Sequence, residues 1–133
     1  MANAPKPRAA TMADFMRAVD AGRAVELVDG EVVEKAAPTP EHGSVQTALG
    51  GLLWPLHGRG GPRGGGWWLM SEVEVLYEVD RQVYRHDVIG FRRDKHPTRP
   101  TGFPVKARPD WACEILSTST ATLPEGRFIP NLI

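Results

Sequence analysis

The feature that most limits the fold is a pair of β-type segments that follow a glycine-rich break. Residues 67–78 (WWLMSEVEVLYE) alternate apolar and polar side chains, and residues 83–91 (VYRHDVIGF) form a second such segment. The turn Asp80-Arg81 separates them, which predicts a long β-hairpin within a sheet. The stretch from Gly58 to Gly66 (GRGGPRGGG) cannot hold regular structure and is predicted to be a flexible loop.

The flanking segments predict two helices and three further strands. One helix begins at the N-cap Thr11 and ends near Gly22, and a second begins at Thr39. Between them, VELVDGEVVEK at 25–35 predicts a hairpin around its Asp-Gly pair, and DWACEIL at 110–116 predicts a last strand. The order α-β-β-α-β-β-β indicates an α+β or mixed α/β fold, with one mixed sheet flanked by helices. The second helix carries an apolar stripe, expected to face the core, made of Val45, Leu49, Leu52, Leu53 and Leu56.

Length and composition exclude several classes of protein. The chain has 133 residues, enough for one domain, and its sixteen acids balance sixteen Lys and Arg. A globally basic nucleic-acid-binding surface is therefore excluded, as is a multi-cysteine zinc site, because there is one cysteine. No apolar run could span a membrane or serve as a signal peptide, so we expect a cytoplasmic protein. We expect a disordered arm at 1–10, one domain at 11–120 and an irregular tail at 121–133.

The charges are unevenly distributed along the chain. Residues 13–44 contain seven acids and three bases, whereas residues 81–108 contain eight bases and two acids. A local basic patch for an anionic partner is one interpretation, and a solvated arginine-rich loop is the other.

Two carboxylates, Asp87 and Glu114, lie inside otherwise apolar strands. A carboxylate in a sheet interior is costly unless it is paired, protonated or bound to metal. Each could pair with an arginine, such as Arg85 or Arg108. Alternatively, the two could share a divalent cation, and such hard oxygen ligands suit Mg²⁺ or Mn²⁺. Spacing alone leaves both interpretations open.

Four segments stand in an order and spacing that resemble a known family. They are ELVDGEVVE at 26–34, PTPEHGSVQTALGGLL at 38–53, HDVIGFRR at 86–93 and RPDWACEILSTST at 108–120. Together they resemble the Uma family (DUF820-like) of restriction-endonuclease-like proteins, a branch of the PD-(D/E)XK nuclease superfamily. The resemblance implies a restriction-endonuclease-like fold and a metal-dependent DNA endonuclease that hydrolyses phosphodiester bonds with Mg²⁺ or Mn²⁺.

The resemblance also implies site residues. Asp87 matches the metal-binding aspartate and Glu114 the acidic residue of the next motif, so both are expected to be catalytic and to bind metal. Glu31 falls on the N-terminal acidic position and His42 on the histidine near the start of the first core helix. Simpler interpretations are a solvent-facing hairpin residue for Glu31 and a helix N-terminal residue for His42.

The chain departs from the family pattern at several points. The family's Pro-Asp reads His86-Asp87, and its Ser-Pro-Ser-Thr reads STST at 117–120. Leu116 stands where the superfamily has its lysine, as is common in this family, whose members carry a lysine on the next helix. Here ATLPEGRFIPNLI follows Thr120, and its prolines leave no room for a helix of useful length. We therefore expect a chain truncated at its C-terminus, or one whose end derives from a shifted reading frame, without that helix and the strand after it.

This departure leaves three functional hypotheses. The first is a metal-dependent DNA endonuclease, and the second is a catalytically inactive nuclease-fold remnant that acts as a binding or structural module. The third is a small domain that binds a protein partner through exposed tryptophans. An unpaired edge on the last strand also predicts a homodimer. DNA contacts are expected to be non-specific and to phosphate, and to involve Arg85, Arg92, Arg93, Lys95, Arg59 and Arg63.

Overall fold

The structure is a computed structural model that describes residues 5, 8–60, 65–77 and 81–116. The described residues form two α-helices and five β-strands, and a π-helical turn, Trp54–Gly58, continues the second helix. In chain order the elements are α1 (Met12–Asp20), β1 (Val25–Val28), β2 (Glu31–Glu34), α2 (Pro40–Leu53), β3 (Trp67–Tyr77), β4 (Gln82–Arg92) and β5 (Trp111–Cys113). The predicted α+β class is confirmed.

All five strands form one sheet with β4 in its interior. The strand order is β2-β1-β4-β3, and β5 pairs with β4 beside β1. The named strands pair antiparallel, and the parallel component is an isolated bridge between Val75 and Val105. The long hairpin of β3 and β4 matches the alternating segments of the sequence. It runs in one register from the pair Trp67–Arg92 to the pair Tyr77–Gln82.

The hairpin of β1 and β2 turns at Asp29 and Gly30, as the sequence predicts. Both residues have positive φ, 51° and 75°, which is the requirement of a two-residue turn whose twist matches the flanking strands. The backbone N–H of Lys35 donates to the carbonyl of Ala24 at 2.9 Å, so the pairing extends one residue past β2. This pairing holds the start of the β2–α2 connection against the sheet.

The helix α1 is capped at its start and buries its apolar face on the sheet. The Thr11 hydroxyl accepts from the backbone N–H of Asp14, whose carboxylate accepts from the backbone N–H of Thr11. Phe15 and Ala18 then pack in one hydrophobic cluster with residues of β1 and β4, Val25, Leu27 and Val83. A second cluster joins β3, β4, β5 and Val105. The core therefore surrounds β4, the strand that carries Asp87.

The apolar stripe predicted for α2 is not buried among the described residues. The helix has no buried residue, and Val45 and Leu52 are 51 % and 69 % exposed. The helix instead meets β4 through polar side chains near its N-terminus. The last strand is also shorter than predicted, since β5 ends at Cys113 and Glu114 lies just beyond it.

No helix in the described ranges is long and apolar enough to cross a bilayer. Several expectations concern residues outside these ranges: Arg63, most of the 1–10 arm, and the 121–133 tail with its lack of a helix and a further strand.

Candidate functional site

The Asp87 carboxylate is buried in the middle of β4 and only half satisfied. Asp87 is 2 % exposed. Its Oδ2 accepts a hydrogen bond of 2.7 Å from the backbone N–H of Ile115, just past β5. Its Oδ1 is buried and receives no hydrogen bond from any described residue. A buried acceptor without a donor costs about 1–3 kcal/mol, so any stabilisation of this oxygen comes from nearby charge rather than from a hydrogen bond.

The first two turns of α2 bring two polar side chains to Asp87. Thr39 caps the helix by accepting from the backbone N–H of His42 at 3.2 Å. The Nε2 atom of His42 lies 3.3 Å from Asp87 Oδ1. Gln46, four residues later on the same helix face, donates to the Asp87 carbonyl at 2.8 Å and to Glu72 Oε1 at 3.0 Å. These contacts fix the helix N-terminus over the centre of the sheet.

Glu72 enters the site from β3 at a local distortion of the strand. Its φ of 57° lies in the left-handed region, which is rare for a residue other than glycine. The ladder is interrupted there without a change of register, since the pairs Ser71–Val88 and Val73–His86 flank the gap. Glu72 therefore stands opposite Asp87. Strained backbone of this kind concentrates at functional sites.

A lysine approaches the same carboxylate from the end of β2. The Nζ atom of Lys35 lies 3.8 Å from Asp87 Oδ1 and donates a hydrogen bond to the Arg85 carbonyl. Arg85 itself does not pair with Asp87. Its guanidinium lies 3.3 Å from Glu72 and 3.9 Å from Glu74, while its backbone N–H donates to Glu26. The arginine pairing considered for Asp87 is therefore replaced by Lys35 and His42.

Glu114 belongs to a separate buried chain of hydrogen bonds. His86, completely buried, lies 2.6 Å from Glu114 Oε1 through Nδ1 and 2.6 Å from the Tyr77 hydroxyl through Nε2. Burial raises the pKa of Glu114, and the hydrogen bond with His86 offsets part of that effect. Burial also raises the pKa of Tyr77 to about 12. A carboxylate only accepts, so His86 donates a hydrogen bond to Glu114 from Nδ1, and the Nδ1-protonated tautomer accepts a hydrogen bond from the Tyr77 hydroxyl at Nε2.

The donor set around Asp87 fits a divalent cation. One ligand atom each from His42, Glu72 and Asp87 lies within 4.8 Å of the others. Two carboxylates suit Mg²⁺ or Mn²⁺, and Asp87 Oδ1 accepts no hydrogen bond from the described residues, so it is open to a cation. Glu114 lies next to this group, because its neighbour Ile115 binds Asp87, but its Oε1 is turned to His86. The three-residue group therefore differs from the predicted pair Asp87 and Glu114.

The structure does not bring Glu31 to this site. Glu31 is exposed at the start of β2, where it pairs with Val28. Lys35 lies four residues further along, a strand distance of roughly 13 Å. The hairpin thus directs its far end, rather than its turn, towards Asp87.

The predicted phosphate-binding residues are mostly engaged within the protein. The Arg93 guanidinium stacks 3.7 Å from the Trp68 ring and donates to the carbonyls of Trp67 and Gly58. Lys95 pairs with Asp110 at 3.1 Å, and Arg92 with Asp94. Arg85 is held by two glutamates, as described above, and Arg59 is exposed. Three of the bases in residues 81–108, Arg85, Arg92 and Lys95, therefore form local ion pairs.

Five residues of the site were not predicted from the sequence: Lys35, Gln46, Glu72, Tyr77 and His86. Two signals could have identified some of them. Gln46 follows His42 by four residues, so both side chains lie on one helix face. The register of the β3–β4 hairpin places Glu72 opposite Asp87. No local pattern distinguishes Lys35 from a surface lysine.

Comparison with known proteins agrees with this fold. A crystal structure described as "a putative nuclease belonging to DUF820" from Anabaena variabilis is similar to this chain, with a TM-score of 0.62 and 18 % identity. The match covers 82 % of this chain and 59 % of the other, so the chain spans about three-fifths of that protein. No curated protein matches significantly.

The sequence matches one family model over nearly its whole length. The Uma2 model, described as "Putative restriction endonuclease", matches residues 12–127, a range that includes both helices, all five strands and every residue of the Asp87 site. The chain therefore belongs to the Uma2 family.

Proposed function

We propose that this protein is an endonuclease that hydrolyses phosphodiester bonds of DNA with a divalent cation, Mg²⁺ or Mn²⁺, held at Asp87. The family and the fold support a nuclease-like function. The observation that carries the proposal is Asp87 Oδ1, a buried acceptor without a donor that faces His42 and Glu72. Water does not reach this buried carboxylate, so a bound cation would stabilise its negative charge.

Each residue has a distinct part in the proposed site. Asp87, Glu72 and His42 would hold the cation, and Gln46 fixes the relative position of Asp87 and Glu72 through its two hydrogen bonds. Glu114 is a further carboxylate next to this group, and its Oε1 contacts His86. A bound Mg²⁺ or Mn²⁺ polarises the phosphate and lowers the pKa of a coordinated water.

The overall reaction consumes one water for each bond cleaved. The water oxygen forms a bond to phosphorus while the bond between phosphorus and the leaving sugar oxygen breaks. The electron pair of the broken bond stays on the leaving oxygen, which takes up a proton. The many carboxylates near Asp87 would repel DNA phosphates, and the cation together with Lys35 reduces this repulsion.

Nicking of supercoiled plasmid tests the proposal. The wild-type protein is assayed with Mg²⁺, with Mn²⁺ and with EDTA, beside an Asp87→Asn variant and a matched Asp94→Asn control. Asp94 is an exposed acid of the β4–β5 connection that pairs with Arg92, so its loss leaves the site intact. We expect nicking that requires both the cation and Asp87. Nicking by Asp87→Asn at the wild-type rate would contradict the proposal.

The alternative is a catalytically inactive module with a nuclease fold. One observation favours it: His42 and Lys35 already place positive or polarisable groups 3.3 and 3.8 Å from Asp87 Oδ1, which could compensate its charge without metal. Under this alternative the wild-type protein would nick plasmid no faster than Asp87→Asn with either cation.

DNA binding through phosphates predicts a modest salt dependence. Among the described residues of the predicted set, Arg85 and Arg93 are engaged internally, and the exposed bases are Arg59, Arg92 and Lys95. Neutralising three phosphates gives a slope of about −2.7 for the logarithm of the binding constant against that of salt concentration. Fluorescence anisotropy with a labelled duplex measures this slope, and a flat response would exclude phosphate-driven DNA binding.

A further inference from the structure

Lys35 reaches the candidate site from an element that the family resemblance did not point to. Its Nζ atom lies 3.8 Å from Asp87 Oδ1, and its side chain is 21 % exposed. Among the lysines and arginines of the described ranges, Lys35 is the one that forms an ion pair with Asp87. Arg85, two residues before Asp87 on β4, is paired with Glu72 and Glu74. The lysine therefore combines contact with the site and access to solvent.

The position of the Lys35 side chain is fixed at both of its ends. At the backbone, its N–H donates to Ala24, which extends the β1–β2 hairpin. At the tip, the ammonium donates to the Arg85 carbonyl on β4. These contacts hold a long side chain that would otherwise lose much rotamer entropy on binding a ligand.

The Lys35 ammonium also has donors to spare. An ammonium carries three N–H donors and no acceptor, and one donor binds Arg85. The separation of 3.8 Å from Asp87 Oδ1 exceeds a hydrogen bond, so Asp87 attracts the charge without consuming a donor. A group that can only donate, placed beside a cation site and partly open to solvent, suits an anionic oxygen of a substrate.

We propose that Lys35 binds a non-bridging oxygen of the scissile phosphate, next to the cation held at Asp87; this inference rests on the proposed nuclease function. When the water oxygen bonds to phosphorus and the bond to the leaving oxygen breaks, negative charge on the phosphate is redistributed. A fixed donor aimed at that charge stabilises the transition state more than the ground state. Lys35 keeps its proton throughout, and the leaving oxygen takes its proton from the attacking water by way of solvent.

The test compares Lys35→Met with a matched Lys106→Met control. Methionine keeps the length of the side chain and removes the charge, and Lys106 is an exposed lysine outside the site. Three quantities are measured for each protein: the single-turnover nicking rate at saturating protein, the affinity for Mn²⁺ alone, and the free energy of unfolding in urea. We expect Lys35→Met to lower the rate by about 10²–10³-fold. Its Mn²⁺ affinity should be unchanged or higher, because a competing positive charge is gone.

The outcomes separate this inference from the proposed function. Absence of cation-dependent nicking by the wild-type protein overturns both. Wild-type nicking with a Lys35→Met rate within threefold of Lys106→Met overturns the role of Lys35 and leaves the nuclease proposal standing. A Lys35→Met protein that loses Mn²⁺ affinity or folding stability in proportion to its rate would show that Lys35 supports the structure of the site rather than binding the phosphate, and so would also overturn the inference.

Discussion

Replacing Tyr77 by phenylalanine tests whether a buried hydrogen-bond chain positions Glu114. The hydroxyl is the partner of His86 Nε2 at 2.6 Å, and His86 is completely buried. Phenylalanine keeps the ring within its apolar cluster but leaves Nε2 without a donor, and no bulk water can replace it. The variant is therefore expected to lose about 1–3 kcal/mol of unfolding free energy.

The magnitude can be converted into a melting temperature. Unfolding entropy scales with chain length, so for 133 residues 1 kcal/mol corresponds to roughly 3–4 °C. Tyr77→Phe should then lower Tm by roughly 4–11 °C, measured by circular dichroism and confirmed in urea. Tyr84→Phe is the matched control. Tyr84 is half-buried and donates to Gln82 beside solvent, so water can replace the lost bond and the cost should be under about 1 kcal/mol.

Nitrogen NMR of the histidine rings gives a readout that stability alone does not. We expect the His86 ring of the wild-type protein to carry its proton on Nδ1, with Nε2 as the acceptor. Tyr77→Phe should change the Nε2 resonance, whereas Tyr84→Phe should not. Equal losses of stability in the two variants, or an Nε2-protonated ring in the wild-type protein, would exclude a Tyr77 hydroxyl that donates to His86.

Three further predictions concern the helix cap, its pH dependence and assembly. Thr11→Ala should lower the free energy of unfolding by about 1 kcal/mol in urea, because the backbone N–H of Asp14 loses its acceptor. The bond from the Thr11 backbone and the contact with Arg8 lower the pKa of Asp14 to about 2, from 3.8. The lowered pKa stabilises the folded protein above the unfolded pKa of Asp14, and this stability is lost as pH falls from about 4 to 2. The difference in free energy of unfolding between wild type and Asp14→Asn should therefore shrink over that range. Among the described strands, β5 pairs only with β4, so its other edge can pair with a second chain. Light scattering should therefore show a homodimer, and a monodisperse monomer would contradict this expectation.

Local patterns in the sequence were sufficient for most of the fold. The N-cap at Thr11, the Asp29-Gly30 turn and the alternating strands each depend on neighbouring residues, and the structure confirms all three. The burial of Asp87 followed from its apolar flanks for the same reason. The apolar stripe on α2 was expected to be buried, but α2 has no buried residue. An apolar stripe shows that a helix face can be buried, and it does not show that another element covers that face.

The site was harder to predict because it joins residues that are distant along the chain. Asp87 contacts Lys35 and His42, which precede it by about fifty and forty-five positions, and Ile115, which follows by twenty-eight. No periodicity encodes such contacts. The sequence did not predict the role of His86. In the sequence, this histidine only replaces the family's proline before Asp87, and nothing nearby indicates that it contacts Glu114.

Binding of a divalent cation at Asp87 is the basis of the proposed function, and a Mn²⁺ titration followed by electron paramagnetic resonance measures it. We expect one equivalent of bound Mn²⁺ in the wild-type protein, weaker binding in His42→Ala and Glu72→Gln, and none in Asp87→Asn. The Asp94→Asn control should bind like the wild type. Failure of the wild-type protein to bind Mn²⁺, or undiminished binding by Asp87→Asn, would exclude a cation site at Asp87.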